Sequence, residues 1–522
     1  MASFRHIFLY SFFSCSLLRN FFAAFFICFM KPNTLEVKRT RIRITPDPSR
    51  VLIRPFIPQN ENRVMKIISR VLSLPEETVK IQIQSVLDDF SGRHLDIKKI
   101  FGRHFEMVRP CMFTDLEPSQ ERKLLIGSMF TSEYALECAA LFNPSIVPHP
   151  DQSGLPEGSL RFIMSLRATG EGHISSITFR MGVIDKDLNI DITDPTRFVT
   201  PPEIIENSHY DKALFCQKLH EMGVLNSYSE SLMERLDDPF TLDELTVQIE
   251  KERHESHRRS QTALVTRDGM IWLAKSNYEL RFLPEQRISQ RIIFPTGPSE
   301  QNGIEDARFV QFKNDDGSQI YYATYTAYDG KTILPQLMQT EDFLNFKIIT
   351  LNGKAVQNKG MALFPRKLND KYVMLSRQDN ENLFIMFSDN IHFWYEMTPL
   401  LKPTYPWEFV QVGNCGPPIE TKEGWLVLTH GVGPMRKYCI GAILLDLEDP
   451  RKVIGRLNQP LLMPGANERE GYVPNVVYTC GALIHQGNLI LPYAMSDYAT
   501  GMAIVELEPL LELLKTGQSR SV

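Results

Sequence analysis

An all-β core flanked by helices is the fold class this sequence predicts, and three observations predict it. An apolar strand, a turn, an aromatic-bearing strand, a polar break and a third strand recur five times. The copies begin near Leu160 (LRFIMSLRATGEGHISSITFRMG), Glu305, Met361 (MALFPRKLNDKYVMLSRQDNENLFIMFSD), Pro417 and Val473. Each copy spans roughly 40–60 residues, a length at which a unit of short strands cannot bury both faces alone and must stack on its neighbours. Helical periodicity is confined to two stretches, one before the first copy and one between the first and second. Together these predict a five-bladed β-propeller with an N-terminal helical domain and a helical insertion after the first blade.

Residues 1–30 are apolar, but Arg19 and Asn20 divide them, so no unbroken run reaches the roughly 20 residues that span a bilayer. They are either a signal peptide or anchor, or an apolar stretch ahead of a true start at Met30. Two Phe-rich halves broken by an arginine favour the second. Residues 31–142 hold the helical domain, running from Asn60 to about Phe142. ENRVMKIISRVLSL gives way to Pro75-Glu76-Glu77, a helix start with proline and acids near the positive end of the dipole. The propeller is expected over 143–511, opening at Asn143-Pro144, with the insertion over about 210–258. Strand patterning is expected to resume at TALVTRDGMIWLAKS, and residues 512–522 form a tail.

The 522 residues suffice for one large core and an accessory domain. A net charge of −5 gives no basic surface for nucleic acid or an anionic membrane. Homo-oligomerisation stays open. The eight cysteines form no CxxC pair and the 12 histidines are dispersed, so no metal site is expected. Reduced, mostly buried thiols suit a cytoplasmic protein.

Chemistry concentrates in Gly303-Ile304-Glu305-Asp306-Ala307-Arg308, where two acids and an arginine open a strand after a glycine-bearing loop. Strand neighbours point to opposite faces, so Glu305 and Asp306 are expected to take different roles. A carboxyl in a partly dry funnel has a raised pKa and serves as a general acid. An ordinary surface salt bridge is the bland alternative.

GIEDAR, PPIETKEGWLVLTHG, IGAILLDLEDPRKVIGR and EREGYVPNVV resemble glycoside hydrolase family 130, the β-mannoside phosphorylases and β-mannosidases. The resemblance runs from about Asn143 to Leu511 outside the insertion. It implies a five-bladed propeller and cleavage of β-mannosidic bonds with inversion. Asp306 matches the family's catalytic aspartate in G-[IV]-E-D-P-R, with Ala307 replacing the usual proline. It is thought to protonate the glycosidic oxygen through a hydroxyl of the mannosyl unit. The resemblance further implies that Asn143, Arg167, Glu305, Arg308 and Asp497 bind substrate.

Phosphorolysis and hydrolysis both stay open. Lys359, Arg377 and His430, with Arg436 and Lys437 near them, would hold phosphate, the co-substrate of a phosphorylase that needs no cofactor. Glu420 would be the water-activating base of a hydrolase, and Asp329 stands where phosphorylases tend to show Ser-Arg. Tyr472, Trp425 and Trp407 are the aromatic candidates for sugar stacking, Trp425 being more consistent with core. The expected partner is a β-mannoside oligosaccharide. Two other functions remain: a five-bladed glycosidase on another sugar, such as an arabinoside or fructoside, and a propeller that only binds glycan or protein.

Overall fold

The computed structural model describes residues 35–205, 209–255 and 260–517, so the leader at 1–30 and residues 518–522 lie outside the described residues. Five antiparallel sheets of four to six strands form the core of the described residues, beside one two-stranded ribbon. The first is built on Ala140–Pro148, Leu160–Thr169 and Ser175–Ile184, and the second on Ile304–Lys313, Gln319–Tyr328, Ile333–Thr340 and Asn345–Thr350. The third holds Lys359–Leu363, Tyr372–Arg377, Leu383–Ser388 and Thr398–Leu401. Gln411–Asn414, Gly424–Val432 and Tyr438–Leu445 make most of the fourth, and Asn488–Met495 and Ala499–Glu506 the centre of the fifth.

Apolar residues on both faces of these strands explain why the sheets stack. Phe179 and Ile163 of the first meet Phe309 and Tyr321 of the second, and Phe312 and Tyr322 meet Met361 and Met374 of the third. Val373 and Phe364 pack on Trp425 and Val427 of the fourth, Leu428 and Ile440 on Val477 and Leu489 of the fifth. Met164 and Phe162 of the first sheet then meet Ile490 and Met502 of the fifth. Each sheet contact has its own buried cluster, so every sheet depends on two neighbours.

Four differences from the sequence reading have identifiable causes. Val37–Ile44 is a strand that pairs with Ala499–Glu506 in the fifth sheet. Its sequence, VKRTRIRI, alternates charge with apolar residues, as an edge strand does, and shows little of the helical or repeat signal. The N-terminal helices end at Met129, and the ECAALF segment expected to be helical leads into the first sheet at Ala140. The insertion runs to Lys275 rather than to about 258: TALVTRDGMIWLAK is a helix, capped where the Ser260 side chain accepts from the Ala263 amide. Its buried residues Thr266, Met270, Leu273 and Ala274 recur at helical spacing, which the β-branched and aromatic residues obscured. Finally, Leu507–Thr516 is a helix whose Leu510, Leu511 and Leu514 are buried, so residues 512–516 are not a free tail.

Candidate active site

Ala140–Pro148, Ile304–Lys313 and Lys359–Leu363, each at one edge of its sheet, share one device. Register shifts separate Phe142 from Ser145, Glu305 from Arg308 and Lys359 from Ala362. Asn143, Asp306 and Gly360 sit inside these bulges with φ of +49°, +54° and +88°. A bulge adds one unpaired residue and re-aims its side chain, and positive φ at a non-glycine residue is a local strain that packing must hold. The strict alternation expected of Glu305 and Asp306 therefore fails. Both reach Arg167 on the first sheet: Nη2 lies 3.0 Å from Glu305 Oε1 and Nη1 lies 3.3 Å from Asp306 Oδ1.

Around Asp306 the charged groups are matched, while the buried Asn143 Oδ1 has no partner. Asn143 Nδ2 donates to Asp306 Oδ1 at 2.6 Å, and Lys359 Nζ donates to Glu305 Oε2 at 2.5 Å. Arg167 Nε donates to Ser175 Oγ at 2.9 Å, and its guanidinium lies 5.0 Å from the centroid of the Phe142 ring. Burial works to raise the pKa of Asp306, but Arg167, Arg308, the Asn143 amide and Lys359 outweigh it. Its carboxyl is held well below the usual carboxylate range. Asp497, in the turn after Asn488–Met495, goes the other way. Burial raises it to about 7, against the pull of Arg167 and with Asp306 repelling its charged form. Arg436 opposes that rise.

Arg308, expected to bind substrate, is instead a brace. It is 3% exposed. Its Nε donates to the Cys415 carbonyl at 2.8 Å, Nη1 to the Asp306 carbonyl at 2.9 Å and Nη2 to Tyr478 Oη at 2.8 Å. It thus ties the second sheet to the fourth and fifth beneath the acids.

The opposite wall is different. Lys359 and Arg377 are paired across adjacent strands of the third sheet, and Arg377 reaches the fourth. Its Nη1 lies 3.2 Å from His430 Nε2, while its buried Nε has no partner. Burial, joined by the nearby Arg308 and opposed by Tyr478, disfavours the charged guanidinium. Gln411 Nε2 lies 3.0 Å from the same His430 nitrogen, and His430 Nδ1 lies 3.2 Å from the Asn414 carbonyl. A guanidinium can only donate, so Nε2 accepts and the proton sits on Nδ1, facing the carbonyl. Burial, Arg377 and Arg308 drive the His430 pKa well below its ordinary value. His430 is therefore a neutral acceptor that orients Arg377. Gly413 lets these groups approach: a Cβ there would stand 2.7 Å from His430 Cε1 and 2.9 Å from Arg377 Cδ.

Glu420 lies elsewhere. It pairs with Trp425 in a hairpin of the fourth sheet, and Arg366 donates to it from Nε at 2.9 Å and from Nη2 at 2.7 Å. Trp425 precedes His430 by five residues on one extended strand, roughly 16 Å along it. A half-exposed, ion-paired carboxylate there is not the water-activating base that the sequence offered. Asp329 holds its own turn, accepting from the amides of Lys331 and Thr332. Trp425 is core, and Trp407 packs over Gly431 and Gly441. Tyr472 is 54% exposed, its ring 5.6 Å from that of His173.

Two residues at this wall escaped the sequence reading, Asn414 and Gln411. Asn414 is fully buried, and neither amide atom has a partner. The one available signal was a polar residue inside the apolar QVGNC run directly before the PPIE motif.

Residues 266–516 match the family model described as β-1,4-mannooligosaccharide phosphorylase. The chain is similar to a 1,2-β-oligomannan phosphorylase of Thermoanaerobacter sp., 38% identical over 232 residues, which are 43% of this chain and 75% of that protein. It is similar to a β-1,2-mannobiose phosphorylase of the same organism, 34% identical over 230 residues, 43% of this chain and 73% of the relative. Among solved structures, the β-1,2-mannobiose phosphorylase of Listeria innocua in complex with β-1,2-mannobiose aligns over 73% of this chain and 93% of its own, at 21% identity and a TM-score of 0.44.

Proposed function

The chain belongs to glycoside hydrolase family 130, and from that premise we propose that it is an enzyme cleaving β-mannosides by phosphorolysis, releasing mannose 1-phosphate. One observation carries the choice of phosphate over water. Arg377 is a largely buried guanidinium whose Nε is unpartnered and whose neighbour His430 is neutral. A buried cation without a counter-anion is costly, and a phosphate dianion beside Arg377 and Lys359 supplies the missing charge. The carboxylate that hydrolysis would require is not furnished by Glu420, which Arg366 holds in an outer hairpin.

In this reading Arg167, Asn143 and Asp497 orient the mannosyl unit, while Glu305 holds Arg167 and Lys359 in place. Phosphate oxygen attacks the anomeric carbon from the face opposite the leaving group, and a β-mannoside gives an α-phosphate by single inversion. Asp306 delivers the proton to the glycosidic oxygen, through a mannosyl hydroxyl as the family resemblance implies. Lys359, one of the cations that keep Asp306 ionised, also faces the phosphate in this reading, so the dianion offsets its field and raises the acid's pKa when the co-substrate is present. The acid is thus loaded only in the ternary complex.

We also read the five sheets as blades of a closed propeller with this site at its mouth. The succession of inter-sheet clusters returning from the fifth sheet to the first supports it. So does the strand Val37–Ile44, which joins the last sheet by pairing with Ala499–Glu506.

The test is incubation of purified protein with β-mannobioses of different linkage, with and without phosphate. Phosphate-dependent α-mannose 1-phosphate is the expected product. Free mannose released at the same rate without phosphate would overturn the reading.

A further inference from the structure

We propose that Asn414 selects protonated oxyanions: its amide oxygen accepts the P–OH of the incoming phosphate while its amide nitrogen donates to another phosphate oxygen, so the site takes phosphate and turns away sulfate. The proposal rests on the phosphorolytic reading above and names a determinant within that site.

Three observations converge on one spot. Asn414 is 0% exposed, yet Oδ1 and Nδ2 both lack partners, as does the buried Nε of Arg377. A Cβ placed on Gly360 would stand 3.8 Å from Arg377 Nε and 3.9 Å from Asn414 Oδ1, so the unpaired groups flank the same point. Gly360, at φ +88°, brings no side chain of its own to that point. Buried amides without partners cost enough that native proteins rarely keep them, and one ligand carrying both acceptors and a donor would satisfy all three atoms.

The chemistry of the ligand follows from the donor–acceptor count. Arg377 and Lys359 bring only donors, and His430 has already spent Nε2 on Arg377 and Gln411. Whichever way its amide is turned, Asn414 presents one donor and one acceptor. An acceptor repels a bare oxyanion oxygen and attracts one that carries hydrogen. Monohydrogen phosphate has such a hydrogen at neutral pH; sulfate has none. The arrangement also closes the proton balance. As the phosphate oxygen bonds to the anomeric carbon and the glycosidic bond breaks, the co-substrate loses its P–OH proton to solvent, and Asp306 regains from solvent the proton it gives away. The leaving oxygen gains one through Asp306. The products are the mannose 1-phosphate dianion and a neutral sugar hydroxyl.

The experiment measures binding of inorganic phosphate, arsenate and sulfate to the intact enzyme by calorimetry, and the same ions as substrates or inhibitors of turnover. In the wild type, phosphate and arsenate should bind at least roughly tenfold more tightly than sulfate, the size expected of one hydrogen bond to a charged group. In Asn414→Ala phosphate binding should weaken by a similar factor while sulfate binding holds or improves, collapsing the ratio. Equal wild-type affinity for phosphate and sulfate overturns the proposal without any variant, as does an Asn414→Ala ratio unchanged from wild type. Should the enzyme prefer phosphate in calorimetry yet form no mannose 1-phosphate, the phosphorolytic reading falls while the selectivity of Asn414 stands.

Discussion

The two walls of the site differ in how far their polar groups are satisfied. On the acid side, Asp306, Glu305, Arg167 and Lys359 form a chain of ion pairs between 2.5 and 3.3 Å, built from the first three sheets. On the phosphate side, Arg377 and Asn414 are held at the third and fourth sheets with buried polar atoms unmatched. The ion-paired wall holds its charged groups in place, although the buried Asn143 Oδ1 within it also lacks a partner. The unsaturated wall stores the cost of unpaired groups, which the co-substrate relieves on binding.

The largest test of that contrast is Asp306→Asn. The swap is nearly isosteric and keeps the Asn143 contact within reach, but it removes the proton donor. Turnover on a β-mannoside should fall by about 10²–10⁴-fold with the fold intact. A variant keeping more than a tenth of the wild-type rate would take the acid role from this wall.

Arg377→Ala acts on the other wall and should raise the phosphate KM by about 10–150-fold, the loss of one charge-assisted pair. Because the free enzyme leaves this guanidinium uncompensated, thermal stability without phosphate should hold or rise. A lower Tm in the absence of phosphate would mean that Arg377 is structurally satisfied after all, and the contrast would fail.

The acid wall contains its own opposition, legible in stability against pH. Asp497 is raised to about 7, so its protonated form favours the fold. That contribution is complete below the unfolded value near 3.8 and is lost as pH rises through 7. Asp497→Asn should therefore gain stability over wild type at pH 8, by at most on the order of 4 kcal/mol, and little at pH 4. Asp306 has the opposite sign: its depressed pKa stabilises above the unfolded value, and that is lost as pH falls toward the folded one. Melting temperatures of wild type and Asp497→Asn at both pH values check the first of these. A gap independent of pH would contradict it.

The smallest effect belongs to Glu420→Gln. Breaking its exposed pair with Arg366 should cost roughly 0–1 kcal/mol of stability and leave phosphorolysis at the wild-type rate. A large loss of turnover would bring this carboxylate back into the reaction.

Local pattern alone determined much of this protein. Five strand-rich repeats gave the β core, and the GIEDAR motif located Asp306 beside Glu305 and Arg308. Lys359 and Arg377 were named from short basic segments and Asn143 and Arg167 through the family resemblance, and the structure brings the four together around Glu305 and Asp306. What lay beyond the sequence was decided by pairing between distant strands. Bulges at 142–145, 305–308 and 359–362 exist only against their partner strands, and they turn Glu305 and Asp306 toward one arginine where simple alternation would separate them. Glu420 and His430 share a motif, yet Glu420 pairs with Trp425 near one end of the strand Gly424–Val432 and His430 stands near the other. His430 became a neutral acceptor because Arg377 and Gln411 arrive from other strands, and Asn414 became significant only once its amide was found buried and unpaired. Residue type sets which chemistry is available; burial and partners from remote sequence set its charge and aim.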